Sequence, residues 1–500
     1  MSATTQTGTP DRVALAEEHE RLGAAVTRIV ADYARKLGEG RVCSEAGPAE
    51  LARLFDEPLP ADGSADEELL ARFTADVLPH AMNIPDPRYF GLFNPTPLAV
   101  AVWADALASA VNQNGAVWRN SPSASAVEDR VVRWLCQLVG YGPDSFGTLT
   151  SGGSEANMLA LKCARDRAAR GARDRGLRDA EARGRLTVYA SEQSHYSIAK
   201  SLDIIGLGRD SLRKIETDER FHIRTDLLRG AIAADLAAGH TPVCVAGAAG
   251  ATSTGVVDPL EELADIAREH GLWFHVDAAY GGALAFSEEH RARLSGIERA
   301  DSVTVDPHKW MFVPFACGGL LVREGKSVLR EAFDITAEYM NEDRGGSDVE
   351  FDFLRYGQLG TRRFNALKIW MALKRLGVRG YAEIVERQIE LTRHLARRLA
   401  ETPGFVLVGE VETALCCARF EPDECRGRSD VELDDLQRAL QQRVERGGEA
   451  WFATTILKGR RALRFNVNSF LTERRHVDDL VELLRREGRL LLDERRVQER

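Results

Sequence analysis

The chain has 500 residues, 44% hydrophobic and 28% charged, with a formal net charge of −10. That balance is ordinary for a soluble globular protein of two or three subdomains, and the acidic excess argues against nucleic acid or an anionic membrane as a partner. No apolar run approaches the roughly eighteen residues of a membrane span, and the N-terminus MSATTQTGTPDR has neither a basic nor an apolar leader region. The eight cysteines show no C-x-x-C or Cys/His ligand spacing, so reduced thiols in a cytoplasmic protein, without a metal site, are expected.

Residues 1–85 are expected to form a helical arm. Val13, Leu15, Leu22, Val26, Ile29, Val30 and Tyr33 keep helical spacing between charged neighbours, and a second helix fits Glu67 to Val77. Such a stripe packs either on another subunit or as a cap on its own chain. Residues 88–120 are aromatic and loop-rich around one short apolar helix. Ser121-Pro122 then opens a helix to about Val139, as N-cap and first-turn proline.

The stretch TLTSGGSEANMLAL, Thr148 to Leu161, places small residues directly before good helix formers. Free backbone N–H groups and a positive helix end there are suited to a phosphate. The stretch is neither a Walker loop nor G-x-G-x-x-G. From 186 to 323, strand runs (186–190, 242–249, 272–277, 302–305, 317–322) alternate with helical stretches (197–205, 224–238, 258–270, 287–295). This predicts an α/β domain over 86–375, with a mostly parallel sheet covered by helices on both faces.

Two strand ends in that domain carry reactive groups. The run LWFHVD ends in Asp277, and SVTV is followed by DPHKW, which presents Lys309 where a strand leaves the sheet. A lysine and an aspartate at neighbouring strand ends suit pyridoxal phosphate, the lysine forming a Schiff base and the aspartate pairing with the pyridinium nitrogen. His195, just past another strand end in SEQSH, is a candidate to lie against a flat ring, although a lone histidine is more often a satisfied surface or core residue. Residues 324–352 are polar and glycine-bearing, and read as a mobile loop with Tyr339 as its reactive group. Helices fit 363–376 and 380–401. Strands at 405–408, 413–420, 451–457 and 462–467, with helices at 430–446 and 473–485, then give a small α+β domain over 376–500.

From about Pro87 to Phe470 the chain resembles the group II pyridoxal-phosphate decarboxylases, the family of aromatic-L-amino-acid, glutamate and diaminobutyrate decarboxylases. The resemblance rests on TSGGSEAN, SEQSHYSIAKS, GATSTGVVDPL, FHVDAAYGG and DPHKW, in that order. It implies the type I aminotransferase-like fold and a homodimer with its active site at the subunit interface. It implies that Lys309 is the Schiff-base lysine, that Asp277 pairs with the ring nitrogen, and that His195 stacks on the ring with Ala279 on the other face. Gly153, Ser154 and His308, with Gly360 or Thr361 of the other subunit, would hold the phosphate, and Thr252 would bond near the ring's edge.

Tyr339 matches the tyrosine that reprotonates the substrate carbon after CO₂ leaves. Relatives lacking it, or the stacking histidine, tend toward oxidative aldehyde formation, so plain decarboxylation to an amine is the expected reaction here. Phe93, Asn94 and Thr96 occupy the stretch that lines the substrate pocket. Asn112 to Ala116, with Asn114 at its centre, replaces bulky apolar residues donated by the second subunit, unless it is a packed helix end. An aromatic L-amino acid is the first expectation for substrate, against an acidic, diamino or carrier-bound aminoacyl group. A same-fold aminotransferase, an aldehyde synthase and a cofactor-binding regulator are the rival activities. Arg464 would meet a carboxylate or serve a structural salt bridge. Asp306 stands where the animal enzymes have asparagine; an acid beside a phosphate dianion is repulsive, so it binds another group, points away or is protonated.

Overall fold

The computed structural model describes residues 11–182, 184–335 and 352–498. Twelve strands form two sheets. They are β1 (Tyr89–Phe90), β2 (Phe146–Thr150), β3 (Leu186–Ser191), β4 (Leu212–Ile215), β5 (Thr241–Ala248), β6 (Trp273–Asp277), β7 (Ser302–Val305), β8 (Gly318–Val322), β9 (Phe405–Val408), β10 (Leu415–Phe420), β11 (Trp451–Leu457) and β12 (Arg460–Asn466).

The larger sheet runs β2-β8-β7-β6-β5-β3-β4. All its pairings from β7 to β4 are parallel, whereas β8 is antiparallel to both β7 and β2. Successive side chains of a strand point to opposite faces, yet every residue of β2, β3, β7 and β8 is buried. Both faces are therefore covered, which is why these segments read as unbroken apolar runs rather than alternating ones. β6 and β7 are adjacent, with Asp277 opposite Thr304, so Asp277 and the turn after Val305 emerge at the same edge.

The smaller sheet, β1-β11-β12-β10-β9, has its own core with the helices Asp430–Gly447 and Arg474–Gln498. β1 lies far from its sheet partners in sequence and pairs parallel with β11, burying Phe90 in that second core. The chain thus visits the smaller sheet before it builds the larger one.

Several sequence expectations shift. The polar stretch after 324 begins as a helix, Gly325–Phe333, because Leu329 and Ala332 are buried on one face; residues 336–351 of the expected loop lie outside the described residues. No α-helix covers 287–295. Short 3₁₀ turns at Gly281–Phe286, Arg291–Leu294 and Ile297–Arg299 replace it, broken by Gly296 at φ 97°. The two helices expected at 363–376 and 380–401 do form, within Ala366–Glu401, but they meet directly at Gly377, whose φ of 64° is non-helical. Helix Arg12–Arg35 forms as expected, but none of its residues is buried, and Val13, Leu15, Val26 and Val30 stay exposed.

Candidate active site

The edge where β6 and β7 end opens into a cavity of about 330 Å³. Each wall is set by a strand end or a helix start. After Val305, hydrogen bonds from Lys309 N to Asp306 O (2.8 Å) and from Phe312 N to Lys309 O (3.1 Å) close a turn that presents Lys309. Opposite, β2 ends at Thr150 and helix Gly153–Ala168 begins, where Gly153 N and Ser154 N precede the first helical hydrogen bonds, made by Glu155 N and Ala156 N to Gly152 O.

Of the residues singled out in the sequence, Phe93, Gly153, Ser154, His195 and Thr252 line this cavity, as do Asp277, Ala279, His308 and Lys309. Their hydrogen bonds fix their chemistry. Asp277 accepts from Asn157 Nδ2 at 2.8 Å and from Ala279 N at 3.2 Å. His195 Nδ1 accepts from Ser197 N at 3.3 Å and pairs with Ser197 Oγ at 2.8 Å, which leaves the proton on Nε2. Burial lowers its pKa, with Asp277 working in the opposite direction. His308 Nδ1 accepts from Cys317 N at 3.0 Å, and its basicity is also lowered by burial. Both imidazoles are therefore neutral donors through Nε2 at physiological pH.

The cradle at the helix start is closely packed. A Cβ on Gly153 would come within 2.8 Å of Asp306 Oδ2 and 3.2 Å of Ala279 Cβ, and one on Gly152 within 3.2 Å of His308 Cε1. Only glycine leaves the helix N-terminus open to a phosphate here. Asp306 itself is buried, and it takes the first of the alternatives left open by the sequence: Oδ2 lies 3.0 Å from Lys309 Nζ.

Other expected residues lie elsewhere in their own chain. Thr96 Oγ1 is committed to Pro85 O and Ser469 Oγ, at 3.1 and 2.7 Å, so it fastens loops rather than facing the cavity. Asn114 Oδ1 accepts from Arg362 N and Ala116 N, tying 112–116 to the segment that carries Gly360 and Thr361, both exposed and neither lining the cavity. Tyr339 lies outside the described residues. Ser121 occupies the N-cap of Pro122–Leu138, but its hydroxyl donates to Val117 O, and Gln113 Oε1 accepts from Ala124 N in its place. Arg464 meets no carboxylate among the described residues. It donates to Thr252 O and Gly91 O, both at 2.9 Å, and lies 4.8 Å over the Phe93 ring.

Asn157 is the residue that the sequence reading missed. Its Oδ1 accepts from His275 Nε2 (3.0 Å) and Thr304 Oγ1 (2.7 Å), and its Nδ2 donates to Asp277 and to Ser197 Oγ (2.9 Å). All four hydrogen-bonding sites of the amide are used. The signal was available: asparagine is a poor helix former, and here it stands buried inside a helix.

The donor set fits pyridoxal phosphate: an amine, a carboxylate held by an amide, a neutral imidazole and a glycine-lined helix start around one cavity. A family model for the pyridoxal-dependent decarboxylase conserved domain matches residues 48–421. The aromatic-L-amino-acid decarboxylase of Bacillus atrophaeus is 30% identical over 449 residues, 90% of this chain and 91% of that protein. The tryptophan decarboxylase TDC2 of Camptotheca acuminata is 32% identical over 486 residues, 95% of each. The crystal structure of Oryza sativa TDC with PLP and tryptamine superimposes with a TM-score of 0.90 at 28% identity, covering 97% of this chain and 100% of that one. The chain belongs to the pyridoxal-dependent decarboxylase family, with the type I fold, and is a PLP-dependent carboxy-lyase.

Proposed function

We propose that the enzyme removes the α-carboxylate of an aromatic L-amino acid as CO₂ and releases the amine, with Lys309, Asp277 and His195 as its working groups. The observation that carries this reading is that Lys309 and Asp277 follow adjacent parallel strands into one cavity, which also holds a glycine-lined helix N-terminus. The curated relatives named for aromatic and tryptophan substrates support the substrate class.

Bound pyridoxal phosphate supplies the electron sink for the pair left behind when CO₂ departs. The protein's part is to hold and to orient. Asp277, kept in place by Asn157 and Ala279 N, offers a fixed carboxylate to the ring nitrogen. Gly153, Ser154 and His308 Nε2 present donors to the phosphate. His195, neutral and aimed by Ser197, would lie against the ring without adding a competing positive charge. Lys309 would anchor the cofactor through its amine. Thr252 and Ala279 complete the walls, and Phe93 closes the side toward the substrate. Tyr339 is assigned, on the family resemblance, to deliver the proton that replaces CO₂.

A homodimer fits the exposed apolar faces. The stripe of Arg12–Arg35 is uncovered, and Trp103, Leu107 and Val111 are exposed on the helix that leads into 112–116. Gly360, Thr361 and Asn114 lie on that same exposed side, from which they would complete a partner's site. No helix of the described residues is long and apolar enough to cross a membrane. All eight cysteines are unpaired and buried, which fits a reducing cytoplasm.

The test is CO₂ release from the holoenzyme across a panel of L-amino acids, with amine, aldehyde and peroxide measured in parallel. Amine and CO₂ in equal amounts from an aromatic acid are expected, and Lys309→Ala abolishes both. Full turnover in that variant would overturn the assignment. Aldehyde and peroxide from the wild type would make it an aldehyde synthase, and Tyr339→Phe is expected to push product that way.

A further inference from the structure

Two carboxylates stand beside the groups that would receive a phosphate. Glu155 Oε2 accepts from both Ser151 N and Ser151 Oγ at 2.7 Å, at the lip of the cradle. Deeper in, Asp306 is 2% exposed, with Oδ2 at 3.0 Å from Lys309 Nζ and 3.6 Å from His308 Nε2. The same oxygen lies 2.8 Å from the position a Cβ would take on Gly153, so it abuts the first residue of helix Gly153–Ala168. Its second oxygen, Oδ1, is buried without a hydrogen-bond donor among the described residues, pressed toward Gly318. A carboxylate is thus fixed between the cofactor-anchoring amine and the positive helix end that suits the phosphate.

We propose that Asp306 is a built-in electrostatic opponent of the cofactor's phosphate: it pairs with Lys309 beside the cradle, its charge disfavours a dianion there, and loading requires that ion pair to open. This rests on the assignment of Lys309 and the Gly153 cradle to the cofactor. Two charges argue for it. An incoming dianion meets the fixed negative charge of Asp306 in a buried site, where screening by solvent is weak. Lys309, meanwhile, cannot leave Asp306 without exposing a buried, half-bonded carboxylate. The ion pair is therefore a latch that slows capture of the cofactor, and the charge of Asp306 lowers affinity for any small phosphate. Glu155 is the weaker obstacle, because it lies at the rim and can turn to solvent.

The experiment is calorimetric titration of cofactor-free enzyme with inorganic phosphate, beside stopped-flow recording of the yellow band on mixing with pyridoxal phosphate. Asp306→Asn removes the charge and keeps the shape. It is expected to bind inorganic phosphate about tenfold more tightly and to take up the cofactor faster. Asp306→Ser, which lacks an amide donor, separates loss of charge from gain of a hydrogen bond and serves as the second probe should Asp306→Asn fail to fold. Unchanged or weaker phosphate binding in the folded variants overturns the proposal. If inorganic phosphate binds wild type and variants alike but pyridoxal phosphate does not displace it, the cradle assignment itself falls, and the latch with it.

Discussion

Asn157 Nδ2 donates to Asp277 Oδ2 at 2.8 Å, and this bond holds the carboxylate assigned to the cofactor ring. The same amide reaches Ser197, which fixes the tautomer of His195. One buried side chain thus orients both groups expected to touch the ring, at its nitrogen and at its face. Asn157→Asp replaces a donor with a like charge beside Asp277. A hydrogen bond to a charged group contributes about 1.5–3 kcal/mol, so cofactor affinity should fall roughly tenfold to a hundredfold. Equilibrium titration of the apoenzyme with pyridoxal phosphate, followed by quenching of protein fluorescence, measures this directly. Wild-type affinity in the variant would remove Asn157 from the site.

Gly153 and Gly230 are both helical glycines, and they should respond oppositely to alanine. At Gly153 the added methyl meets Asp306 Oδ2 and Ala279 Cβ, whereas at Gly230 it meets nothing within 4 Å. Gly153→Ala is expected to cost about 1–3 kcal/mol through overpacking, and to impair cofactor binding. Gly230→Ala should gain about 0.5–1 kcal/mol from helix propensity alone. Thermal denaturation of both apoenzymes tests the pair. Equal shifts in the two would mean that the cradle relaxes freely around a methyl group.

In the larger sheet β3, β5, β6, β7 and β8 were legible because burial on both faces leaves an apolar imprint. β2, equally buried, was not read as a strand because Gly147 and two threonines leave only Phe146 and Leu149 as large apolar residues. β4 escaped notice because an edge strand with exposed Lys214 carries no such imprint. β1 is two residues long and pairs with a strand more than three hundred positions away, so its place is set by tertiary packing alone. In the site, Lys309 and Asp277 stood out because strand ends are marked locally by composition. Asn157 did not, because its role depends on four partners from three separate elements. The Lys309–Asp306 contact likewise needed the turn geometry, although Asp306 was visible as a departure from the animal enzymes.

Arg464 holds two cavity walls at once. It ties β12 to Thr252 O and Gly91 O and covers the Phe93 ring, with no carboxylate among the described residues to offset its burial. Burial lowers its pKa from the ordinary arginine value. Lysine has one nitrogen on a narrower head and cannot bridge both carbonyls. Losing one charge-assisted bond should cost about 1.5–3 kcal/mol of stability. In Arg464→Lys, KM for the amino acid is expected to rise several-fold, because Thr252 and Phe93 lose their support. The check is a melting curve beside separate kcat and KM values. Wild-type values in both would show that β12 holds the walls without it.

The seam between the two sheets should weaken as pH rises. His222 Nε2 bonds Glu412 Oε1 at 2.7 Å, and Glu412 Oε2 accepts from Val257 N at 2.9 Å, which joins the connection before β10 to the loop after β5. The bond to Glu412 raises the pKa of His222 above its ordinary 6.5. Asp258, adjacent and fully buried, accepts from Ile223 N and Ala248 N, and burial lifts it to about 6. Both groups hold protons more tightly folded than unfolded, so each contribution is complete at low pH and lost as pH rises through the folded value. For Asp258 the loss runs from its ordinary 3.8 up to about 6, on the order of 3 kcal/mol. For His222 it begins near 6.5 and continues upward. Other carboxylates superimpose an opposite slope in acid, so the informative quantity is a difference between proteins. The melting temperature of wild type minus that of His222→Asn should be largest near pH 6 and shrink steadily toward about pH 8. Asp258→Asn should leave that trend intact while flattening the acid side. A difference that stays constant across the range would mean that the His222–Glu412 contact does not depend on the imidazolium charge.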